Sequence, residues 1–186
     1  SDAFKIGDEG KLLIKYTGNE SEVVIPTRVT KIGDHAFDGC SALTSVIIPE
    51  GVEFIGDEAF SNCVNLFSIV LPKGLKNIGW LAFSNCSKLT SVVIPEGVSW
   101  FNDLSFEGTP FLVNLKNMPG DFIIYGSYLL RYVGDEKAVE ITKTIRTICS
   151  SAFSSCYNLT SVVIPKGVSQ IGGSAFSGCA SLASVD

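Results

Sequence analysis

One phrase returns every 23 residues along this chain. It reads LTSVIIPEGVEFIGDEAFSNC from Leu43, LFSIVLPKGLKNIGWLAFSNC from Leu66, LTSVVIPEGVSWFNDLSFEGT from Leu89 and LTSVVIPKGVSQIGGSAFSGC from Leu159. An earlier copy, VVIPTRVTKIGDHAFDGC, ends at Cys40. A fixed period of this length predicts stacked structural rungs, none of which can bury its apolar side without neighbours. The repeat therefore indicates what kind of surface the chain has, and leaves open what binds there.

Each copy predicts a strand, a turn and a return to the core. In the copy at residues 43–48 (LTSVII), alternate apolar positions form the inward face of a short strand. Pro49 has no N–H for the ladder and ends that strand. Residues 59–63 (AFSNC) predict a single helical or 3₁₀ turn beneath the strand. The phenylalanines of the repeated AF pair are expected to be buried: Phe37, Phe60, Phe83, Phe153 and Phe176.

The unit LxxVxIPxGVxxIGxxAFxxC resembles the leucine-rich repeat of the BspA-like, or Treponema-type, family over essentially the whole chain. The resemblance implies an α/β fold that is mostly β by content: a right-handed leucine-rich-repeat solenoid with a parallel concave sheet and short 3₁₀ or helical turns. It also implies a bacterial cell-surface or secreted protein, and hence an extracellular location, linked to adhesion and to the binding of host proteins.

Two stretches depart from the regular rung. FIIYGSYLLRY alternates around Gly126-Ser127 and predicts two short strands within a degenerate rung. The amino-terminal stretch from Phe4 to Tyr16 echoes it at an offset of 116 residues and predicts a hairpin-like cap. In the degenerate rung the following residues are expected to fill the core columns of Val52, Ile55, Gly56, Ala59, Phe60 and Cys63: Phe122, Tyr125, Gly126, Leu129, Leu130 and Val133.

These readings predict a single solenoid over residues 1–186. It divides into a cap (1–22), regular rungs (23–114), the degenerate hairpin-like rung (115–138) and further regular rungs (139–186). The sequence stops partway through a strand phrase. We therefore expect a fragment of a longer protein, or stacking or dimerisation at an uncapped carboxyl end, because solenoids need a capping rung.

Composition excludes several classes of partner. The net charge is −5 and no block of Lys or Arg occurs, which argues against nucleic acid and anionic membranes. The apolar runs are far too short for membrane insertion. No signal peptide is visible at Ser1, which fits a cytosolic protein or a mature secreted fragment.

The cysteines and the single histidine predict no reactive centre. Stacking places the cysteines of one repeat column one above another at about the strand spacing of 4.8 Å. Parallel Cβ vectors disfavour disulfides there, so we expect buried free thiols. A soft-metal site is the alternative, but no histidine accompanies the column. His35 is the only histidine, and the ladder of serines has no base beside it, so we expect no catalytic residue, no metal and no cofactor. The column holds Cys40, Cys63, Cys86, Cys156 and Cys179.

The leading candidate for binding is the concave strand face. Its small hydroxyls and apolar side chains could receive a protein or peptide, although the same residues suit plain sheet packing. The residues assigned to this site are Thr44, Ser45, Ile47, Phe67, Ser68, Val70, Thr90, Ser91 and Val93. The same columns place Val113, Asn114 and Lys116 on the face.

Two aromatic groups are alternatives. Phe54, Trp80 and Trp100 replace polar residues in outward columns and could anchor a partner, or could pack against one another. The degenerate rung carries tyrosines that could hold carbohydrate or protein, although locking a distorted rung is the favoured role. These residues are Tyr125, Tyr128, Arg131 and Tyr132.

The functional hypothesis is a non-enzymatic adhesion module that binds a host extracellular-matrix or cell-surface protein, or a macromolecule of a neighbouring cell, through the concave face. The alternative is a passive structural stalk or spacer that presents another module.

Overall fold

The computed structural model describes residues 3–186, so the first two residues of the predicted cap lie outside the description. The chain forms two compact units, Ser1–Asn114 and Leu115–Asp186. Each unit is a stack of short strands and turns in which equivalent strands pair in parallel. The predicted leucine-rich-repeat solenoid, mostly β by content, is confirmed.

The first unit contains two sheets, with strand orders β1-β2-β4-β6-β8 and β3-β5-β7-β9. Only the β1–β2 pair is antiparallel among these described strands. The strands are β1 (Phe4–Gly7), β2 (Leu12–Tyr16), β3 (Glu22–Val24), β4 (Lys31–Ile32), β5 (Ser45–Ile47), β6 (Phe54–Ile55), β7 (Ser68–Val70), β8 (Asn77–Ile78) and β9 (Ser91–Val93). Two 3₁₀ turns, Asp8–Gly10 and Asp103–Phe106, belong to this unit, and the helix α1 (Pro110–Lys116) follows in the chain.

The second unit has the same plan on a smaller scale. Its sheets have the strand orders β10-β11-β13-β15 and β12-β14-β16. The strands are β10 (Phe122–Tyr125), β11 (Tyr128–Tyr132), β12 (Ala138–Glu140), β13 (Thr147–Ile148), β14 (Ser161–Val163), β15 (Gln170–Ile171) and β16 (Ser184–Val185). Its buried core includes Leu129, Tyr132, Ile141, Ile145, Ile148, Phe153, Leu159 and Val162.

A row of stacked aromatic rings runs through the core of each unit. In the first unit, neighbouring ring centroids are 4.8–5.4 Å apart along Tyr16, Phe37, Phe60, Phe83 and Phe106. In the second unit the row is Tyr132, Phe153 and Phe176, at 5.5 and 4.9 Å. The predicted burial is confirmed for the first four phenylalanines of the AF pair. The fifth, Phe176, is only half-buried, since it stacks on one ring where Phe60 stacks on two.

The corner of the rung differs from a simple helical turn. Residues 57–62 form consecutive turns that contain two left-handed residues, Glu58 (φ 52°) and Asn62 (φ 58°). At the second of these positions other rungs carry Gly39 (φ 74°) and Gly178 (φ 74°), residues that adopt this conformation without steric strain. Asn and Gly predominate in that column because its backbone is left-handed, a conformation that Ser155 also adopts there (φ 63°).

Aspartates at the same corner tie successive rungs together. Asp34 accepts a 2.9 Å hydrogen bond through Oδ1 from the backbone N–H of Asp57. The glycine beside them is needed for close approach, because a Cβ on Gly56 would lie 2.6 Å from the backbone N of Asp34. Asp57 has the same role toward the rung that follows it.

The predicted hairpins are present, and their geometry repeats at the offset seen in the sequence. β1 pairs antiparallel with β2, and β10 with β11, each with one register irregularity. The backbone N–H of Tyr16 donates to the carbonyl of Ala36, and that of Tyr132 to Ala152, both at 2.8 Å. Each hairpin therefore joins the following rung in the same way.

The core columns expected for the degenerate rung are wrong in part. Leu129 pairs with Ile148, which puts it in the column of Ile55 and not of Ala59. Tyr132, and not Leu130, takes the ring position of Phe60, and Val133 is exposed. The reason is that β11 stays extended. Three residues of this extended strand span the distance that takes five residues in a rung that contains a turn.

The expected strand over Val113, Asn114 and Lys116 is also wrong, because these residues lie in α1. Thr109 caps the helix, since its Oγ1 accepts a 3.1 Å hydrogen bond from the N–H of Leu112. Pro110 occupies the first helical turn, where its missing N–H has no consequence. The Thr-Pro pair is the signal for this helix in the sequence.

Candidate functional site

A continuous row of apolar side chains lies on the outer face of the β3-β5-β7-β9 sheet. Val24, Ile47, Val70 and Val93 are adjacent in the parallel register. Their side chains are between 59% and 72% exposed. We call these four residues the apolar row. The alternate residues of the same strands point inward and are buried, as the period of two requires.

The polar part of this face lies two residues earlier in each strand. Ser45 and Ser68 are half-buried, and Ser91 is exposed. Ser68 and Ser91 are register partners, so their hydroxyls continue the column beside the apolar row.

The residues just before the strands differ in what they offer a partner. The Thr44 hydroxyl donates a 2.9 Å hydrogen bond to the carbonyl of Ser21, so it helps to hold two rungs together. Thr90 is exposed. Phe67 stands between Thr44 and Thr90 in the ladder and exposes most of an aromatic ring. The predicted residues thus share one face, with the apolar row and Phe67 as its exposed hydrophobic part.

The alternative aromatic patch is spread over the other sheet. Phe54 is half-buried on β6, with the Lys31 Nζ 5.7 Å from its ring centroid. Trp100 is exposed and bridges to Asn77, which itself pairs with Phe54. Trp80 is exposed at the corner of the rung. A polar residue therefore separates Phe54 from Trp100 in the register.

The histidine and the cysteines have structural surroundings. His35 Nδ1 lies 3.8 Å from Glu58 Oε2, with both side chains at the rung corner. The Cys63 thiol donates to the carbonyl oxygen of Phe37 at 3.2 Å, and the Cys86 thiol donates to that of Phe60 at 3.1 Å. None of the six cysteines, all of which lie within residues 3–186, forms a disulfide. Within residues 3–186, no three His, Cys, Asp or Glu side chains are grouped closely enough to hold a metal ion.

Three thiols of the cysteine column have raised pKa values. The neighbouring Cys86 thiol, together with burial, raises the pKa of the Cys63 thiol far above its ordinary value. Burial likewise raises the pKa of Cys40 and of Cys156. Protonated thiols are weak nucleophiles and weak metal ligands. Sequence reasoning found the column but missed the thiol–carbonyl bonds, which depend on the stacking distance.

No helix within residues 3–186 has the length and apolar character needed to cross a membrane. A comparison with curated proteins found no match. Several solved structures show similarity. The Treponema pallidum leucine rich repeat protein (TpLRR) is 27% identical with a TM-score of 0.51, and the match covers 100% of this chain and 69% of that one.

A leucine rich cell surface protein of Faecalibacterium prausnitzii is 21% identical with a TM-score of 0.39, over 98% of this chain and 74% of that one. The pneumococcal vaccine antigen PcpA is 19% identical with a TM-score of 0.44, over 98% of this chain and 53% of that one. The model of the BspA type leucine rich repeat region matches residues 13–133 and 123–186, in six copies. Since these repeats extend over nearly the whole sequence, the chain belongs to the BspA type leucine rich repeat family.

Proposed function

We propose that this protein is a non-enzymatic binding module that holds a protein partner on the outer face of the β3-β5-β7-β9 sheet. The observation that supports the proposal is the apolar row. Isolated exposed apolar residues are ordinary on protein surfaces, whereas contiguous ones mark contact sites. Four β-branched side chains in register, with Phe67 beside them, form such a contiguous strip.

The face is suited to binding because it is already ordered. Its inner strands, β5 and β7, pair with a neighbour on both sides, and β-branched side chains have little rotamer freedom to lose on contact. The serines next to the row, of which Ser91 is exposed and Ser45 and Ser68 are half-buried, can exchange hydrogen bonds with water for bonds with a partner's backbone. Affinity therefore comes from apolar contact, and orientation from the hydroxyls.

The charges near the face indicate the chemistry of the partner. Glu22 lies on the outer face of β3, and Glu50 and Glu96 are exposed in the turns that follow β5 and β9. With a net charge of −5, the chain favours a partner with an apolar centre and a neutral or basic rim. We propose a protein of the host or of a neighbouring cell, bound by this chain at the cell surface or after secretion. The cell-surface or secreted location is inferred from the family resemblance.

The experiment is a binding screen against immobilised extracellular-matrix, plasma and epithelial proteins. The test variant combines Phe67→Glu with Val93→Glu. The matched control combines Val64→Glu with Met118→Glu, which adds the same charge at exposed apolar residues outside the predicted site. Binding that is lost in the test variant and kept in the control supports the proposal.

Other outcomes redirect it. Binding kept in both variants moves the site to Phe54, Trp80 and Trp100. An absence of binding to every protein in the panel favours the stalk, whose functional module would lie in another part of the protein.

Self-association through the last rung is a separate prediction, because Phe176 is half-buried and Val185 is exposed there. Sedimentation velocity over a range of concentrations tests it.

A further inference from the structure

A cavity of about 500 Å³ opens on the second unit. It lies between the segment that follows β11 and the turn that follows Phe153. Its volume falls within the range of about 300–1,000 Å³ that is usual for small-molecule sites. The polar and aromatic side chains around it include Arg131, Asp135, Glu136, Tyr157 and Asn158.

The cavity exists because one rung is shorter than its neighbour. Tyr132 stacks on Phe153, and Ala138 pairs with Ser161, so the two rungs are aligned at both ends of this corner. Between those ends the hairpin rung has five residues (133–137), whereas the next rung has seven (154–160). The shorter segment leaves the wider turn uncovered. The gap is therefore built into the backbone and does not depend on side-chain rotamers.

The side chains at the opening are a ring, an amide and a carboxylate. Ser155 is left-handed (φ 63°), and the N–H of Tyr157 donates to its carbonyl at 2.9 Å, a tight turn that carries Tyr157 outward. Tyr157 is 63% exposed. Asn158 and Asp135 are exposed on the two segments that border the cavity. Tyr132 and Leu159, which also line the cavity, are buried.

We propose that this cavity binds a pyranose sugar. A pyranose has an apolar C–H face that suits an exposed tyrosine ring, and adjacent hydroxyls that suit the paired donor and acceptor of an amide and the two acceptors of a carboxylate. The cavity is open to solvent, which suits a ligand that keeps part of its hydration. A lipid or another largely apolar ligand needs a more enclosed site.

The first unit contains a natural comparison. There Tyr16 stacks on Phe37 and Glu22 pairs with Ser45, so the same corner is short by the same number of residues. At an offset of 116 residues, Ser41 and Ala42 stand where the second unit has Tyr157 and Asn158. The protein thus folds this corner with and without the proposed tyrosine and asparagine. The site is separate from the apolar row, and its test is independent of the proposed function.

The test is saturation-transfer NMR on the full chain with the methyl pyranosides of glucose, galactose, mannose and N-acetylglucosamine. The double variant Tyr157→Ser, Asn158→Ala gives the second unit the residues of the first and is expected to keep its fold. For the sugar that binds, we expect at least a tenfold weaker affinity in that variant. The Phe67→Glu, Val93→Glu variant is the control and should bind the sugar unchanged.

Two results would overturn the proposal. One is the absence of saturation transfer to all four pyranosides at millimolar concentration. The other is binding that the Tyr157→Ser, Asn158→Ala variant leaves unchanged. A trilysine peptide is tested in parallel, because Asp135 and Glu136 could attract a cation. Binding of trilysine without any sugar would assign the cavity to basic peptides and contradict the sugar.

Discussion

Asp57 accepts a 2.7 Å hydrogen bond through Oδ1 from the backbone N–H of Trp80, a residue one full rung later in the chain. Its own N–H is held in the same way by Asp34. A side chain of one rung thus satisfies a backbone group of the next, beside the backbone bond from the N–H of Glu58 to the carbonyl of Trp80. Trp80 has no carboxylate that could accept a hydrogen bond from the rung that follows it. The series of aspartate–backbone bonds therefore does not continue beyond Trp80.

Replacing Asp57 by Ala is expected to lower the free energy of unfolding by about 1 kcal/mol, because an exposed hydrogen bond to a charged group is lost. Asp57→Asn keeps an oxygen acceptor and should lose less. Urea denaturation of the three proteins measures both effects. An Asn variant as unstable as the Ala variant would show that the oxygen at this position is not what holds the corner.

The ring rows predict a graded response to truncation. Phe83 is fully buried between Phe60 and Phe106. Phe83→Ala should therefore lower the free energy of unfolding by about 3–5 kcal/mol. Phe176 is half-buried and stacks on one ring, so Phe176→Ala should lower it by clearly less. Equal losses from denaturant titrations of the two variants would contradict the stacking model.

The thiol column predicts a loss of stability in mild alkali. In the unfolded chain a cysteine ionises near pH 8.5. Folding raises the pKa of Cys63, so the unfolded state releases this proton first. The contribution to stability is complete below about pH 8 and falls above it, by at most about 1.4 kcal/mol per pH unit for each such thiol.

Unfolding midpoints between pH 7 and 9.5 measure this effect, since tyrosine remains protonated over most of that range. The Cys63→Ala variant is the control. It should be less stable at pH 7 and should lose less stability as the pH rises. A pH dependence identical to that of the parent protein would rule out the buried thiol as its cause.

The hairpins predict that the second unit can fold alone. Tyr132 and Phe122 both contact the ring of Phe153, and the N–H of Arg146 donates to the carbonyl of Ser127 at 2.9 Å. The hairpin rung therefore covers the core of the rung that follows it. A chain of residues 115–186 should be folded by circular dichroism and unfold cooperatively.

A chain of residues 138–186, which lacks the hairpin, serves as the comparison and should be largely unfolded, since its first rung would have a bare apolar side. If the shorter chain unfolded with the same midpoint, the hairpin would not be a cap.

The regular rungs were predictable because each apolar column is repeated several times. Leu43, Val46 and Phe60 were placed by a period that chance does not produce, and all three are buried. The apolar row followed from the same pattern, since Ile47 and Val70 alternate with inward residues. The structure adds Val24 to the row and gives the exposure of the four side chains.

The hairpin rungs were harder to predict, because an extended strand spans in them the distance that a turn spans in a regular rung. The 116-residue echo located both hairpins, but alignment by residue count assigned Val133 to the core. A strand advances about 3.3 Å per residue, so an extended hairpin needs fewer residues than a turning rung. The cavity beside Tyr157 arises from the same difference in length. It could have been found by counting residues between Tyr132 and β12.

The bonds between rungs join residues separated by one constant step, as between Asp57 and Trp80 or between Ile47 and Val70. Loss or duplication of one whole step leaves every surviving rung with an equivalent neighbour. Unequal recombination between the near-identical copies in the gene would therefore lengthen or shorten the protein without disrupting the packing between neighbouring rungs. The number of rungs, and with it the length of the apolar row, is then a quantity that evolution can change in a single event.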